Sequence, residues 1–332
     1  AQMQEALAEW VGVADEDGYA EGVSLDRYVE DVKMSRSRSE ETLPLIAIIP
    51  VEGTLMPGDS EEGMAGSDTI NGYIDTALET ENLAAIVLRV NSPGGSVFAS
   101  DLIRRKLLEV ADADIPIVVS MGTVAASGGY WIAAEADEIW ALPTTITGSI
   151  GAFSAFPTIE GIVEYIGVTV DGVGTTPLAG AASFNRGLSP EMASIVQALA
   201  YGAYDDFIEL VASGRDMSEQ AVRDVADGLV WTGAEAAERG LVDDLGGLDE
   251  AVTAAARLAG VEDWRTARTR VPPSFESVLL QELSRSFGMV TAPLGGWFES
   301  LVSAFKPVVR SLSSLRDPMH VYAQCLSCAP LL

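Results

Sequence analysis

The chain has 332 residues, 48% of them hydrophobic, with 49 acidic against 20 basic side chains and a formal net charge of -29. That length accommodates one large domain or two small ones around an ample core, and a surface this acidic repels nucleic acid and anionic lipid. No apolar run of about 18 residues free of charges occurs, so no segment reads as a transmembrane helix. The N-terminal Ala-Gln-Met-Gln-Glu begins inside a helical pattern, without an initiator Met, a basic n-region or an apolar h-region. The expectation is a piece of a longer chain.

Residues 1–43 read as polar and irregular after that first helix, with Ser35-Arg-Ser-Arg-Ser39 as an exposed linker. Leu45 to Val51 is the first apolar strand, and residues 54–67 read as a loop. Ser67-Asp68 caps a helix to about Glu79, with Ile70, Tyr73, Ile74 and Leu78 on one face. Ala84 to Val90 is a strand broken by Asn91-Ser-Pro-Gly-Gly-Ser96, and Ala99 to Val110 a helix with Ile103, Leu107 and Leu108 inward. Pro116 to Met121 is a buried strand, followed through Gly122-Thr-Val-Ala-Ala-Ser-Gly-Gly129 by a helix at Tyr-Trp-Ile-Ala-Ala. Glu138 to Leu142 is a short strand, Pro157 to Ile166 a helix and Val168 to Val173 a strand. A loop over residues 174–187 leads to a long helix, Pro190 to Ser213, then to Ser218–Asp227, Ala234–Arg239 and Leu248–Ala259, with Val230-Trp-Thr-Gly233 returning to the core. Strands alternating with helices at short spacing predict an α/β fold with a mainly parallel sheet flanked by helices. Beyond Trp264 the pattern changes to two amphipathic stretches, Ser274–Phe287 and Trp297–Phe305.

The chemistry centres on Ser127. A serine where a strand turns into a helix is exposed to first-turn N–H groups, and Ala125, Ala126, Gly128 and Gly129 let a substrate backbone approach. The same residues also suit a tight turn with Ser127 as an N-cap. A serine nucleophile needs a base. The one histidine, His320, lies in the C-terminal tail with no carboxylate motif to orient it, which argues against a Ser-His-Asp triad. Cys325 and Cys328 supply half a zinc site, and one His with two Cys makes no catalytic ligand set, so no metal is expected. The pair suits a local disulfide or two free thiols equally. No Rossmann or P-loop glycine spacing is present, and no cofactor is expected.

Lysine remains. Its pKa would have to fall from about 10.4 to 7–8, at a cost of roughly 4 kcal/mol met by burial and cationic or dipolar surroundings. The chain holds only Lys33, Lys106 and Lys306, and none lies between 107 and 305. Lys33 and Lys106 read as solvated charges, and Lys306 sits in the tail. The second glycine turn, Gly94-Gly95, ends a strand and precedes a helix. Its N–H groups, with that of Gly128, would form an oxyanion hole; a plain glycine turn and helix cap fits as well.

Arg89-Val-Asn-Ser-Pro-Gly-Gly-Ser-Val97, Ala125-Ala-Ser-Gly-Gly-Tyr-Trp131 and Thr147-Gly-Ser-Ile-Gly151, in this order, resemble the signal peptide peptidase A (SppA) family of serine peptidases. The likeness continues through Val230-Trp-Thr-Gly233, Gly240-Leu-Val-Asp243 and Tyr322-Ala-Gln-Cys-Leu-Ser-Cys328, and fits the C-terminal half of the long tandem form. The resemblance implies a ClpP/crotonase-like core over residues 44–264, after a connecting segment at 1–43 and before an amphipathic tail at 265–332. It implies a Ser/Lys dyad with Ser127 as nucleophile, Ser149 orienting the lysine amine, and Gly94, Gly95 and Gly128 as oxyanion donors. The short members carry the lysine near the position of Thr176-Pro-Leu-Ala-Gly180, which has none. In tandem members the N-terminal half supplies it, so here the base is expected outside the chain. The implied setting is a homotetramer on the periplasmic face of the inner membrane, anchored by a segment not in this chain. It would cleave leftover signal peptides and other extended, unfolded hydrophobic peptides. The rival is a non-catalytic assembly or peptide-binding module of the same fold. A crotonase-type acyl-CoA enzyme would want a basic patch for the CoA phosphates, which so acidic a chain does not display.

Overall fold

The structure, a computed structural model, describes residues 42–61, 63–176, 178–181, 183–269 and 316–328. Chain contacts divide it into two compact units, Ala1–Pro44 with Asp263–Arg265, and Leu45–Glu262 with Thr266–Leu332. In the smaller unit the Arg265 N–H donates to the Pro44 carbonyl at 2.9 Å. The stretches Ser274–Phe287 and Trp297–Phe305, with Lys33 and Lys306, lie outside the described residues.

The larger unit is built on an eight-stranded sheet. Its central path runs β1 (Leu45–Glu52), β4 (Leu83–Ser92), β6 (Ile117–Ala126) and β8 (Ile146–Gly148), each parallel to the next. At one end β10 (Val230–Thr232) pairs antiparallel with β8, and at the other β12 (Arg265–Arg268) lies beside β1. The first half of β6 pairs with β7 (Glu138–Ala141), which in turn pairs with β11 (Asp244–Leu245). The strands read as near-continuous apolar runs because both faces are covered. Leu45, Ala47, Ile49 and Val51 share a cluster with Ile70 and Ile74 of α1 (Ser67–Leu78) and Ile103 of α2 (Val97–Asp112). The alternate residues Ile46 and Ile48 are also buried, and α8 (Leu248–Leu258) packs on β4 and β6. The mixed α/β architecture agrees with the expected ClpP/crotonase-like class.

A second, five-stranded sheet lies over the carboxyl ends of these strands. Its order is β3 (Met64–Gly66), β2 (Thr54–Met56), β5 (Gly94–Ser96), β13 (Val321–Gln324) and β9 (Phe153–Ser154). Residues 54–67 therefore hold two short strands rather than a loop. Their Met, Leu and Ala side chains are buried, but three-residue strands carry too little alternation to read. The remaining helices are α3 (Gly128–Trp131), α4 (Glu160–Tyr165), α5 (Pro190–Gly214), α6 (Glu219–Arg223) and α7 (Gly233–Glu238).

Several expectations need correction. Val168–Val173 forms no strand: Val168 and Val173 are exposed, and Gly167, Asp171 and Gly172 punctuate a run that no sheet edge receives. Helix α1 is capped by Gly66 rather than by a side chain, and Ser67 instead accepts from the Gly58 N–H at 3.3 Å. Leu108 points outward: the buried face of α2 carries Ala99, Ile103, Leu107 and Val110, and Leu108 lies off it. Val230 is exposed and Trp231 only half-buried, so that segment forms a sheet edge rather than core.

The tail strand β13 is held by one buried carboxylate. Asp317 accepts from the Ser96 hydroxyl at 2.5 Å and the Phe98 N–H at 3.1 Å through Oδ2. Its Oδ1 accepts from the Met319 N–H at 2.8 Å and the Val321 N–H at 3.1 Å. Ser96 in turn caps α2, accepting from the Ala99 N–H at 3.0 Å. Replacing Asp317 by Ala orphans these donors in a buried site, and the expected loss is about 3 kcal/mol of unfolding free energy, read by urea titration.

Where the two sheets meet, two glycine turns touch. Gly94 has φ +91, and a β-carbon there would overlap the Ala323 carbonyl oxygen and stand 2.5 Å from the Gly128 nitrogen. A β-carbon on Gly128 would lie 2.6 Å from the Ser100 hydroxyl and 3.0 Å from the same Ala323 oxygen. Gly94→Ala is expected to cost about 2–3 kcal/mol through strain and overpacking. Gly202→Ala, in the interior of α5 with open space around the added methyl, should instead stabilise by up to about 1 kcal/mol. Equal effects of the two in the same titration would contradict this picture of the junction.

Candidate functional site

Ser127 follows β6, the most completely buried of the central strands. Midway along β6 the partner changes from β7 to β8: Val118 to Ser120 face β7, while Val124 to Ala126 face β8. Gly122 marks the change, since a β-carbon there would lie 2.9 Å from the Asn91 side-chain oxygen. That oxygen accepts from the Val124 N–H at 3.2 Å, and Thr145 donates to the Gly122 carbonyl at 2.8 Å. The strand is thus held by side chains at the point where its ladder is interrupted.

The last paired residues are Ala126 and Gly148, and the next residue on each strand is a serine. Ser127 and Ser149 both have positive φ, 55° and 51°. For a side-chain-bearing residue this backbone costs of order 1–3 kcal/mol, and it persists only where surroundings fix it. Here they do. The Ser127 N–H donates to the Gly148 carbonyl at 2.8 Å, the Ser149 N–H to the Leu229 carbonyl at 2.7 Å, and the Thr147 hydroxyl to the Ala125 carbonyl at 2.7 Å. The Ser127 carbonyl accepts from the Tyr130 and Trp131 N–H groups at 2.9 and 2.8 Å. Ser127 is the residue before α3, yet its side chain accepts no capping hydrogen bond. Its backbone is fully tied while its hydroxyl has no partner among the described residues.

Both serines line one cavity of about 660 Å³. Its other walls are Phe153, the disulfide-loop residues Leu326 and Ser327, and a face of α5 carrying Gln197, Ala200, Tyr201 and Tyr204. The α5 spacing of 0, 3, 4 and 7 is one helical face, so this wall was readable in the sequence once a site was known to lie against it. Among the described residues the one charged group lining it is Asp227, which accepts from the Tyr204 hydroxyl at 2.9 Å. Burial, and then this hydrogen bond, raise the Tyr204 pKa. The Tyr130 phenol, buried beneath the turn and donating to the Leu241 carbonyl at 2.8 Å, is pushed above the usual range by burial. Both phenols stay protonated and act as donors.

Gly94, Gly95 and Gly128, the candidate oxyanion donors, are brought together by the glycine junction. The Gly128 N–H is a first-turn group with no intrahelical acceptor. Gly94 donates to the Ser92 hydroxyl at 3.1 Å, while Gly95 is paired opposite Leu55 and Ala323.

Among the described residues the only lysine, Lys106, is no part of this cavity. It sits between Asp75 at 2.7 Å and Glu109 at 2.6 Å, and these hydrogen bonds, Asp75 first, raise its pKa. His320 lines a different cavity with Phe156, whose ring it meets at 4.9 Å, and its Nδ1 is buried without a partner among the described residues. Neither is placed to serve Ser127. Cys325 and Cys328 form a disulfide, which resolves the two alternatives left by their spacing. No group of His, Cys, Asp and Glu suited to a metal is found among the described residues. The largest omission of sequence reasoning is β13, since a four-residue strand isolated in the tail gives no periodic signal.

Residues 109–262 match the model of peptidase family S49. The chain is 38% identical to Protease 4 of Salmonella typhi over 339 aligned residues, covering 99% of this chain and 53% of that protein. It is 37% identical to Protease 4 of Haemophilus influenzae, covering 94% of this chain and 51% of the relative. It is 35% identical to the chloroplastic serine protease SPPA of Arabidopsis thaliana, over 75% of this chain and 34% of the relative. The chain spans about half the length of the two Protease 4 sequences. By motif, fold and similarity alike, it belongs to peptidase family S49, the SppA family.

Proposed function

We propose that this chain is the nucleophile-bearing half of a serine endopeptidase. Ser127 Oγ attacks the carbonyl carbon of an extended peptide, giving its proton to a lysine amine. The N–H groups of Gly128 and Gly95 bind the oxyanion, while the Gly94 N–H is held by the Ser92 hydroxyl. Collapse of the tetrahedral intermediate breaks the C–N bond, and the leaving amine takes the proton back from the lysine. Water then hydrolyses the acyl–serine ester. Ser149 holds the lysine amine toward Ser127. The observation that carries this reading is the pairing of Ser127 and Ser149 at adjacent strand ends, both on one cavity, with the Ser127 hydroxyl unpartnered among the described residues.

The lysine is supplied by an N-terminal half related to this one, in a longer chain assembled as a homotetramer. The setting is the periplasmic face of the inner membrane, with signal peptides and other unfolded hydrophobic peptides as substrates. Three points support it. The chain covers about half of each Protease 4, its described lysine is held charged away from the cavity, and the cavity presents the apolar groups of Phe153, Ala200, Tyr201 and Leu326. No described helix is long and apolar enough to cross a membrane. A peptide-binding module without catalysis is the second reading, favoured only by the lack of a described lysine at the cavity.

In the parent protein, Ser127→Ala should abolish cleavage of a fluorogenic peptide, by about 10⁴-fold or more, with the melting temperature unchanged. Lys106→Gln should retain activity within twofold, because Lys106 is paired elsewhere. Cleavage by Ser127→Ala would refute the nucleophile, and loss of activity in a folded Lys106→Gln would refute the external base. The rate should rise with pH through the lowered pKa of that lysine, since only the neutral amine accepts the serine proton. A pH-independent rate between 6 and 9 would contradict amine catalysis.

A further inference from the structure

The Cys325–Cys328 disulfide encloses two residues, Leu326 and Ser327, and both line the Ser127 cavity. The two cysteines are themselves buried against Val124 and Ala126, the end of the strand that delivers Ser127. The Cys325 N–H donates to the Pro93 carbonyl at 2.7 Å, one residue before the first glycine of the oxyanion turn. Just upstream, Gln324 pairs with Gly94 and Ala323 with Gly95. The loop is therefore anchored on both sides of the cavity floor, to β6 through its sulfurs and to the glycine turn through its backbone.

Its tip is different. Leu326 is 69% exposed while its flanking cysteines are at 2% and 1%. A four-residue loop clamped by buried sulfurs holds this leucine at the rim with little freedom to withdraw. Leu326 faces a cavity that also presents Phe153, Ala200 and Tyr201. An apolar side chain entering there would cover leucine surface that otherwise stays in water.

We propose that Leu326 is a specificity-determining residue, the wall against which the substrate side chain beside the cleaved bond packs, and that the Cys325–Cys328 bridge positions it. This rests on Ser127 being the nucleophile. The favoured substrate class is an extended peptide with an uncharged apolar side chain at that position. An acidic side chain would meet Asp227 and, among the described residues, no lining cation. The bridge acts on selection rather than on bond-making, because it supports the wall and makes no contact with the reacting atoms.

The test uses the intact parent protein and two fluorogenic peptides that differ only in Leu or Ala at the residue whose carbonyl is attacked. Leu326→Ala should lower the Leu-to-Ala ratio of kcat/KM by about tenfold, the scale of discrimination expected from lost apolar contact. Leu326→Trp should lower the same ratio by filling the space. Opening the disulfide, by dithiothreitol or by the Cys325→Ser/Cys328→Ser double variant, should lower it too, and reoxidation of the reduced protein should restore it. Leu326 is exposed, so its variants test the wall even if the cysteine variant folds poorly. An unchanged ratio in both Leu326 variants overturns the wall. A changed ratio there with none on reduction overturns the positioning role of the bridge. Ser127→Ala run in parallel separates the two levels. If it is inactive while the ratios do not move, only this inference fails; if it still cleaves, the nucleophile assignment fails with it.

Discussion

The absence of two β-carbons at one point governs the architecture of the site. Gly94 and Gly128 approach so closely that a methyl on either would strike the Ala323 carbonyl and a neighbouring polar atom. Because no side chain intervenes, the tail strand β13 can lie directly on the Gly94–Gly95 turn while α3 starts beneath it. The arrangement brings the Gly94 turn against Gly128, the residue that follows Ser127. It also explains why a buried carboxylate, Asp317, is tolerated. Four donors from β13, its preceding turn and the start of α2 converge on it, so the charge is solvated by protein rather than by water.

The second organising feature is what the two serines do not do. Each is locked by its backbone at positive φ, and neither hydroxyl is spent on a hydrogen bond to the described fold. A serine that merely capped α3 would accept an N–H from the first turn. Ser127 accepts none, and its carbonyl takes the turn's hydrogen bonds instead. Strain held in place by several backbone bonds, with the side chain left idle in a cavity, is the pattern of a residue kept for an incoming group. The missing partner of that hydroxyl follows the same logic. Lys106 is neutralised by two carboxylates and His320 belongs to another cavity, so neither of these described bases serves that hydroxyl.

Much of this was legible in the sequence, and the reasons are particular. Long buried strands such as Ile117–Ala126 are apolar on both faces, so they stand out, and the glycine pairs mark where each chain direction changes. The Ser127 turn was readable because close backbone approach restricts it to small residues, whereas Ser149 was reached through the family resemblance of Thr147-Gly-Ser-Ile-Gly151. What escaped were features whose cause lies elsewhere in the chain. Thr54–Met56 and Val321–Gln324 are too short to show alternation, and they are strands only because β5 lies between them. Val168–Val173 looked like a strand from composition, but strand formation requires a neighbour and none is offered. The cavity wall of Gln197, Ala200, Tyr201 and Tyr204 escaped because it continues, at the same helical spacing, the stripe buried at Phe207, Ile208 and Val211, so the whole stripe reads as core. The Cys325–Cys328 bridge was undetermined by spacing alone, and its meaning came from the strand end on which it rests.

The idle hydroxyl is best interrogated by a reagent that reports on nucleophilicity without needing a peptide substrate. A fluorophosphonate probe, applied to the parent protein and followed by peptide mapping in a mass spectrometer, should place one stable phosphonyl adduct on Ser127 and none on Ser149. Truncation to residues 1–332 of this chain, if the base is external, should slow that labelling by orders of magnitude. An adduct on a different serine, or equal labelling rates with and without the remainder of the protein, would contradict a Ser127 nucleophile activated by an amine from outside this chain.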